Sequence, residues 1–183
     1  VTSSNIPDTD YKYLAFPYTV ANAYPTLAAD STNLKAHYKF DGDFNDSSGN
    51  NAHLTQTNAT IVDGLIVQSA DLNGTAFLTT TSINLNSTNI YSISCWVRFD
   101  NTPTANVFIW AQGSTPGTGK VVSLLYQKAS DVLTFSHYGT GNDMDSSGYN
   151  MLTTIGTNWH HYVVTYNYNN KAGTIWFDGV KLN

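Results

Sequence analysis

The chain has 183 residues, enough for one domain of ordinary size and little room for two. It carries 8 Lys and Arg against 13 acids, a net charge of −5. That balance argues against nucleic acid, where affinity comes from basic groups neutralising phosphates, and against an anionic membrane surface.

Every acid is Asp, no Glu occurs, and Arg98 is the single arginine. The missing Glu excludes any chemistry that requires a glutamate. Asn, Ser and Thr together make up about a third of the chain. Such a composition is poor in helix formers and suits strands joined by Asx- and hydroxyl-rich turns. No apolar run is long enough to span a membrane, so no membrane insertion is expected. Cys95 is the one cysteine, which leaves no intrachain disulfide to form.

Residues 1–33 hold Pro7, Pro17 and Pro25, scattered Tyr and no clean periodicity. They read as an extended arm or linker. From residue 34 onward the pattern becomes one of alternation. Leu34, Ala36, Tyr38 and Phe40 share one face of a first predicted strand. Tyr91, Ile93, Cys95, Val97 and Phe99 share the apolar face of another, opposite Ser92, Ser94, Trp96 and Arg98. Further strands are predicted over 76–80, 107–112, 121–127, 132–138, 160–168 and 174–178. Turn signals separate them at Asp41-Gly42, Ser48-Gly49, Asp63-Gly64, Asn73-Gly74 and Asp178-Gly179, with a loop over 113–119. No window supports a helix longer than a turn or two. Many short strands at regular turn spacing predict an all-β fold, an antiparallel β-sandwich of jelly-roll type.

Three ordered segments go beyond composition. The first is Leu34-Lys-Ala-His-Tyr-Lys-Phe-Asp-Gly42, continuing through Asn45-Asp-Ser-Ser-Gly49 to Leu54. The second is Tyr91-Ser-Ile-Ser-Cys-Trp-Val-Arg-Phe99. The third is Trp159-His-His-Tyr162-Val-Val-Thr-Tyr166, followed by Gly173-Thr-Ile-Trp-Phe177-Asp-Gly179. Their order and spacing resemble laminin-G-like domains of the concanavalin A-like lectin/glucanase superfamily. The resemblance runs from Leu34 to the C-terminus and implies a concanavalin A-like sandwich over 34–183. Such domains continue past the Asp-Gly hairpin with more strands. The expectation is therefore a domain lacking its closing strands, as part of a longer polypeptide or with an edge capped by another chain.

The candidate chemistry is sparse. Asp41, Asp43, Asn45 and Asp46 alternate like the start of a calcium loop. The pattern then fails, with Asp46 where Gly is needed and Ala52 where Glu is needed. Two readings stand: a turn whose side chains bond backbone N–H groups, or Ca2+ ligands at Asp41 and Asp43. Asn142, Asp143 and Asp145 lie in the Gly-rich stretch 139–148. Calcium-binding relatives hold the ion between rim loops, so the resemblance makes Asp143 and Asp145 the better Ca2+ candidates. His160 and His161 are neighbours on a strand and cannot chelate one ion. The run 113–120 lacks the Gly and Ser or Thr of a phosphate loop.

Some relatives are glycosidases, but laminarinase-type sites use paired glutamates, and glycoside hydrolysis generally needs two flanking carboxylates. No Glu and no strand with two same-face Asp residues is present, so no enzyme activity is expected. Cys95 reads as an inert core thiol. Sugar rings stack on aromatic side chains while Asn and Asp bond their hydroxyls. The candidate ligand-binding residues are therefore Trp110, Tyr138, Asn142, Tyr149 and Trp176, with Tyr126 a further aromatic of the same kind. Trp96 and Trp159, inside the family motifs, read as structural. The four N-x-[ST] sequons, at Asn45, Asn58, Asn73 and Asn86, match what this composition gives by chance.

The leading functional reading is a non-catalytic recognition module for a glycan or another surface ligand, located outside the cell, on its surface or on a virion. An alternative is a structural assembly protein, such as a virion surface or minor capsid component, contacting other subunits through the sandwich. A further alternative is an ancillary domain of a larger secreted microbial enzyme or adhesin.

Overall fold

The computed structural model describes residues 33–85, 90–113, 122–137, 143–146 and 150–182. Residues 1–32 of the expected arm, most of the 113–119 loop, and Asn86, Tyr138, Asn142 and Tyr149 lie outside the described residues.

Two four-stranded antiparallel sheets form the body. The first follows the order β12-β11-β10-β5, from β5 (Ile90–Arg98), β10 (Trp159–Asn167), β11 (Ala172–Phe177) and β12 (Val180–Lys181). The second follows the order β6-β7-β8-β9, from β6 (Val107–Gln112), β7 (Val122–Gln127), β8 (Val132–His137) and β9 (Met144–Asp145). Between them lies one apolar core. The second sheet contributes Val122, Leu124, Tyr126, Leu133 and Phe135, and the first contributes Tyr162, Val164, Tyr166, Ile175 and Phe177. The fold is thus an antiparallel β-sandwich.

Aromatic rings bridge the layers. Phe135 of β8 lies 5.4 Å from Tyr166, 6.5 Å from Tyr91 and 6.0 Å from Trp110, centroid to centroid. The tilted and edge-on arrangements are those favoured by the ring quadrupoles. Among the described residues one helix, α1 (Met151–Ile155), places Met151 and Ile155 one turn apart on the same face, both fully buried in this core.

Seven strands, β4 (Phe77–Thr79), β5, β6, β7, β8, β10 and β11, fall within a few residues of their predicted bounds. The 34–40 segment is different. It makes a single bridge, Tyr38 with Asp46, and no strand. Its N–H at His37 goes to the Asp46 carboxylate instead of to a neighbouring strand, and Phe40 takes a left-handed φ of 59° that ends any extension. β1 (Thr55–Thr57) pairs with β4 (Phe77–Thr79), and β2 (Thr60–Asp63) with β3 (Gln68–Asp71), as two small separate sheets. β1, β2 and β3, of three or four residues each, were not predicted because so short a run shows no clear period of two.

Two glycines matter to the geometry. At the β11–β12 turn, Asp178 and Gly179 both have positive φ, 49° and 78°, the signature of a tight primed hairpin turn. Gly173 sits where a Cβ would run into the Met144 thioether and come within 2.8 Å of the Thr165 carbonyl. Its bareness lets β9 close over the end of β11.

Candidate functional site

The first sheet has two unlike faces. Along β5, Tyr91, Ile93, Cys95 and Val97 are the half-buried side, with Tyr91, Cys95 and Val97 packed on the core, while Ser92, Ser94, Trp96 and Arg98 turn out. Along β11, Ile175 and Phe177 are buried, so Trp176 between them points outward. Cross-strand register then fixes the outer rows. Arg98 lies beside Trp159, and Trp96 beside His161. Ser94 lies beside Val163, which in turn lies beside Trp176, with Lys181 beyond it. Three of the chain's four tryptophans therefore share one face.

Their surroundings differ. Trp159 carries the Arg98 guanidinium 5.3 Å above its ring, and Arg98 is held by Asp100 at 2.9 Å. Trp96 stacks one side on His161 at 5.0 Å and stays 48% exposed, so its other side faces solvent. The Ser94 hydroxyl meets His161 Nε2 at 2.7 Å. Beside them, Asp178 anchors the sheet edge. Its carboxylate accepts the His161 N–H at 2.8 Å and pairs with His160 Nδ1 at 2.6 Å. Burial works to raise the Asp178 pKa, but the His161 N–H and the His160 ring outweigh it and hold it below the usual carboxylate range. His160 Nε2 also reaches the Ile155 carbonyl at 2.7 Å, tying α1 to this edge.

The Ser94–His161 pair invites comparison with a nucleophile and its base. Among the described residues, no carboxylate is seen on the other His161 nitrogen, and the pair lies exposed on the outer sheet face. Orientation and an oxyanion site are the other requirements of that chemistry. Cys95, turned inward, has its thiol pushed up to about 12 by burial, which removes it as a nucleophile.

Of the expected ligand-binding residues, Trp176 lies on the tryptophan face. Trp110 does not. A β-bulge between Phe108 and Trp110 lets both Ile109 and Trp110 reach the core, and the Trp110 ring packs on Phe135. Its Nε1 is buried without a hydrogen-bond partner. Tyr126 is fully buried, its hydroxyl bonding Asp131 at 3.0 Å. Tyr138, Asn142 and Tyr149 lie outside the described residues.

The acids divide in the same way. Asp46 is buried and saturated. It accepts the N–H groups of His37, Ser48 and Ala52 and the Ser48 hydroxyl, all at 2.8–3.1 Å. Burial would raise its pKa, but these four bonds hold it far below the carboxylate range. Asp43 is exposed and bonds the Asn45 N–H and side-chain amide, and those two bonds lower its pKa. Asp41 is exposed beside it. This segment is therefore a turn organised by Asx side chains. Asp143 accepts the Ser136 hydroxyl at 2.8 Å, and Asp145 pairs with Thr134 on the same side of the second sheet's edge. Among the described residues, no three His, Cys or Asp side chains gather as a metal set.

A laminin-G-type family model, described as the concanavalin A-like lectin/glucanases superfamily, matches residues 72–183. The chain belongs to this superfamily. The matched region holds both four-stranded sheets and the whole tryptophan face. No curated protein matches the chain. At superfamily level, a concanavalin A-like domain of this type is a carbohydrate- or ligand-binding module, and laminin-G-type domains are generally non-catalytic.

Sequence reasoning did not single out the outward-facing Trp96 and its neighbour His161. The signal was present. Trp96 stands on the polar side of a strand whose other side is wholly apolar. Its place inside a family motif drew the structural reading instead.

Proposed function

We propose that the chain is a non-catalytic carbohydrate-recognition module whose binding surface is the outer face of the β5–β10–β11–β12 sheet. The observation that carries this reading is Trp96, half exposed, with one ring side open and a hydrogen-bonding Ser94–His161 pair beside it. Sugars offer an apolar face to an aromatic ring and hydroxyls to polar neighbours, and this surface supplies both. Such a module acts outside the cell, on a cell surface or on a virion surface.

The test is a glycan array with the folded 183-residue chain, run with calcium and again with chelator. Saturable binding that Trp96→Ala removes is the expected result. Loss of binding in chelator would assign a calcium role to Asp143 and Asp145. No binding to any glycan by a folded sample would overturn the reading.

A second reading, an assembly protein that contacts other subunits, is favoured by one observation. The β2–β3 hairpin ends in Leu65, Ile66 and Val67, which are 46%, 57% and 44% exposed in succession. A run of three exposed aliphatic side chains at a hairpin tip suits a contact surface. Replacing Leu65 and Ile66 with Ser would lower the measured oligomer mass if the tip joins subunits, and would leave it unchanged if it does not.

A further inference from the structure

The outer sheet face says more about its ligand than that it is a sugar. We infer that it takes an uncharged, extended oligosaccharide of three or more rings, lying diagonally across β5, β10 and β11 from Trp96 to Trp176. This rests on the carbohydrate reading above and sharpens it.

The register sets the length. Trp96 pairs with His161, Val163 lies two residues along β10, and Trp176 pairs with Val163. Two strand spacings and a two-residue step separate the tryptophans by about 12 Å at the backbone. One sugar ring cannot touch both, whereas a chain of about three rings spans that distance. Val163 stands between them as a short, half-buried side chain, so the middle of the path is lower than its two ends. Ser94, in register with Val163 on the same face, supplies a hydroxyl along the way.

Charge sets the class. A carboxylated or sulfated sugar is recognised by guanidinium or ammonium groups aimed at its anion. On this face Arg98 is committed to Asp100 and lies over Trp159. The Asp178 carboxylate is taken by His160 and by the His161 N–H. Lys181 stands at the far edge, beyond Trp176. Among the described residues, the path between the tryptophans therefore carries no Asp, Lys or Arg side chain.

The experiment is isothermal titration of the 183-residue chain with two series of one to six rings. One series is neutral, with gluco-, manno- and xylo-oligosaccharides, and the other is oligogalacturonate of equal lengths. The expected result is affinity that rises at least about tenfold between one and three or four rings of a neutral series, then levels off. Trp96→Ala and Trp176→Ala should each cost about tenfold on the four-ring ligand. Lys181→Gln should leave the four-ring affinity unaffected. Near-ultraviolet circular dichroism confirms that each variant is folded, and Trp176→Phe should restore most of the affinity lost in Trp176→Ala. Affinity independent of length, tighter binding of galacturonates, or indifference of the four-ring ligand to Trp176→Ala would overturn this inference and leave the carbohydrate reading standing. No binding of any sugar by the folded chain would overturn both.

Discussion

The two four-stranded sheets share one core yet treat their outer faces differently. In the second sheet, every residue of β7 from Val122 to Tyr126 is buried, so the strand is covered on both sides. In the first, β5 alternates without a break between half-buried and exposed. The same residue type serves opposite ends in the two sheets. Trp110 is drawn inward by a bulge to pack on Phe135, whereas Trp96 is held outward on a regular strand with an open ring face. An aromatic count therefore says little about function in a sandwich. What matters is which side of which strand each ring occupies, and whether something already covers it.

The sharpest way to break this comparison is to cut the shared core. Phe135 is fully buried and touches the rings of Tyr91, Trp110 and Tyr166. Phe135→Ala should lower stability by about 3–5 kcal/mol, the cost of losing a large buried side chain and leaving a cavity. Urea unfolding measures it. A loss below about 1 kcal/mol would mean the two sheets do not pack through this residue.

Next in size is Asp46, which organises the loop preceding both sheets. Asp46→Asn keeps the shape but leaves backbone N–H groups facing a neutral amide, an expected loss of about 2–3 kcal/mol at neutral pH. The loss should depend on pH with a definite sign. The folded-state pKa of Asp46 is depressed below the unfolded value of 3.8. Its stabilisation is therefore complete above that pH and is lost as pH falls toward the folded value. The urea midpoint of the native chain should drop between pH 5 and acid by more than that of Asp46→Asn, and the two should converge at the acid end. Parallel curves would remove the carboxylate from the argument.

These two sites also show what the sequence could and could not reveal. β4, β5, β6, β7, β8, β10 and β11 were legible as short apolar or alternating runs bounded by turn signals, β7 being buried on both sides rather than alternating. The 34–40 segment alternates equally well, but its backbone is satisfied by a side chain, Asp46, and alternation cannot distinguish a carboxylate partner from a strand. The direction of Trp176 was decided only when Ile175 and Phe177 proved buried. That of Trp110 depended on a bulge, one extra residue between two registers, which leaves no mark in hydrophobic pattern. The outward direction of Trp96 was readable from its neighbours. Its open ring face was not, because exposure depends on what the rest of the chain stacks above it.

Smaller again is the close approach of β9 to β11. Gly173→Ala should cost about 1–3 kcal/mol, the usual range for overpacking. An added Met144→Ala should recover part of it, since the thioether can be removed and the Thr165 carbonyl, 2.8 Å from the new Cβ, cannot. Full recovery would show that the side chain alone carried the clash. No loss in Gly173→Ala would mean that β9 can move away freely, in which case Asp143 and Asp145 would not be held at a fixed distance from the core.

The smallest expected effect on stability is at Trp96. Its substitution by Ala gives up one stacking contact with His161 and little burial, so stability should change by less than about 1 kcal/mol. Trp110→Ala, in the other sheet, should cost several times more, because that ring lines the core and its loss opens a void beside Phe135. Equal costs for the two tryptophans would mean that Trp96 belongs to the packing after all and that the outer face is covered in solution. A thermally unperturbed Trp96→Ala that no longer binds sugar would separate the two roles cleanly, because a side chain that barely supports the fold would then be needed for binding.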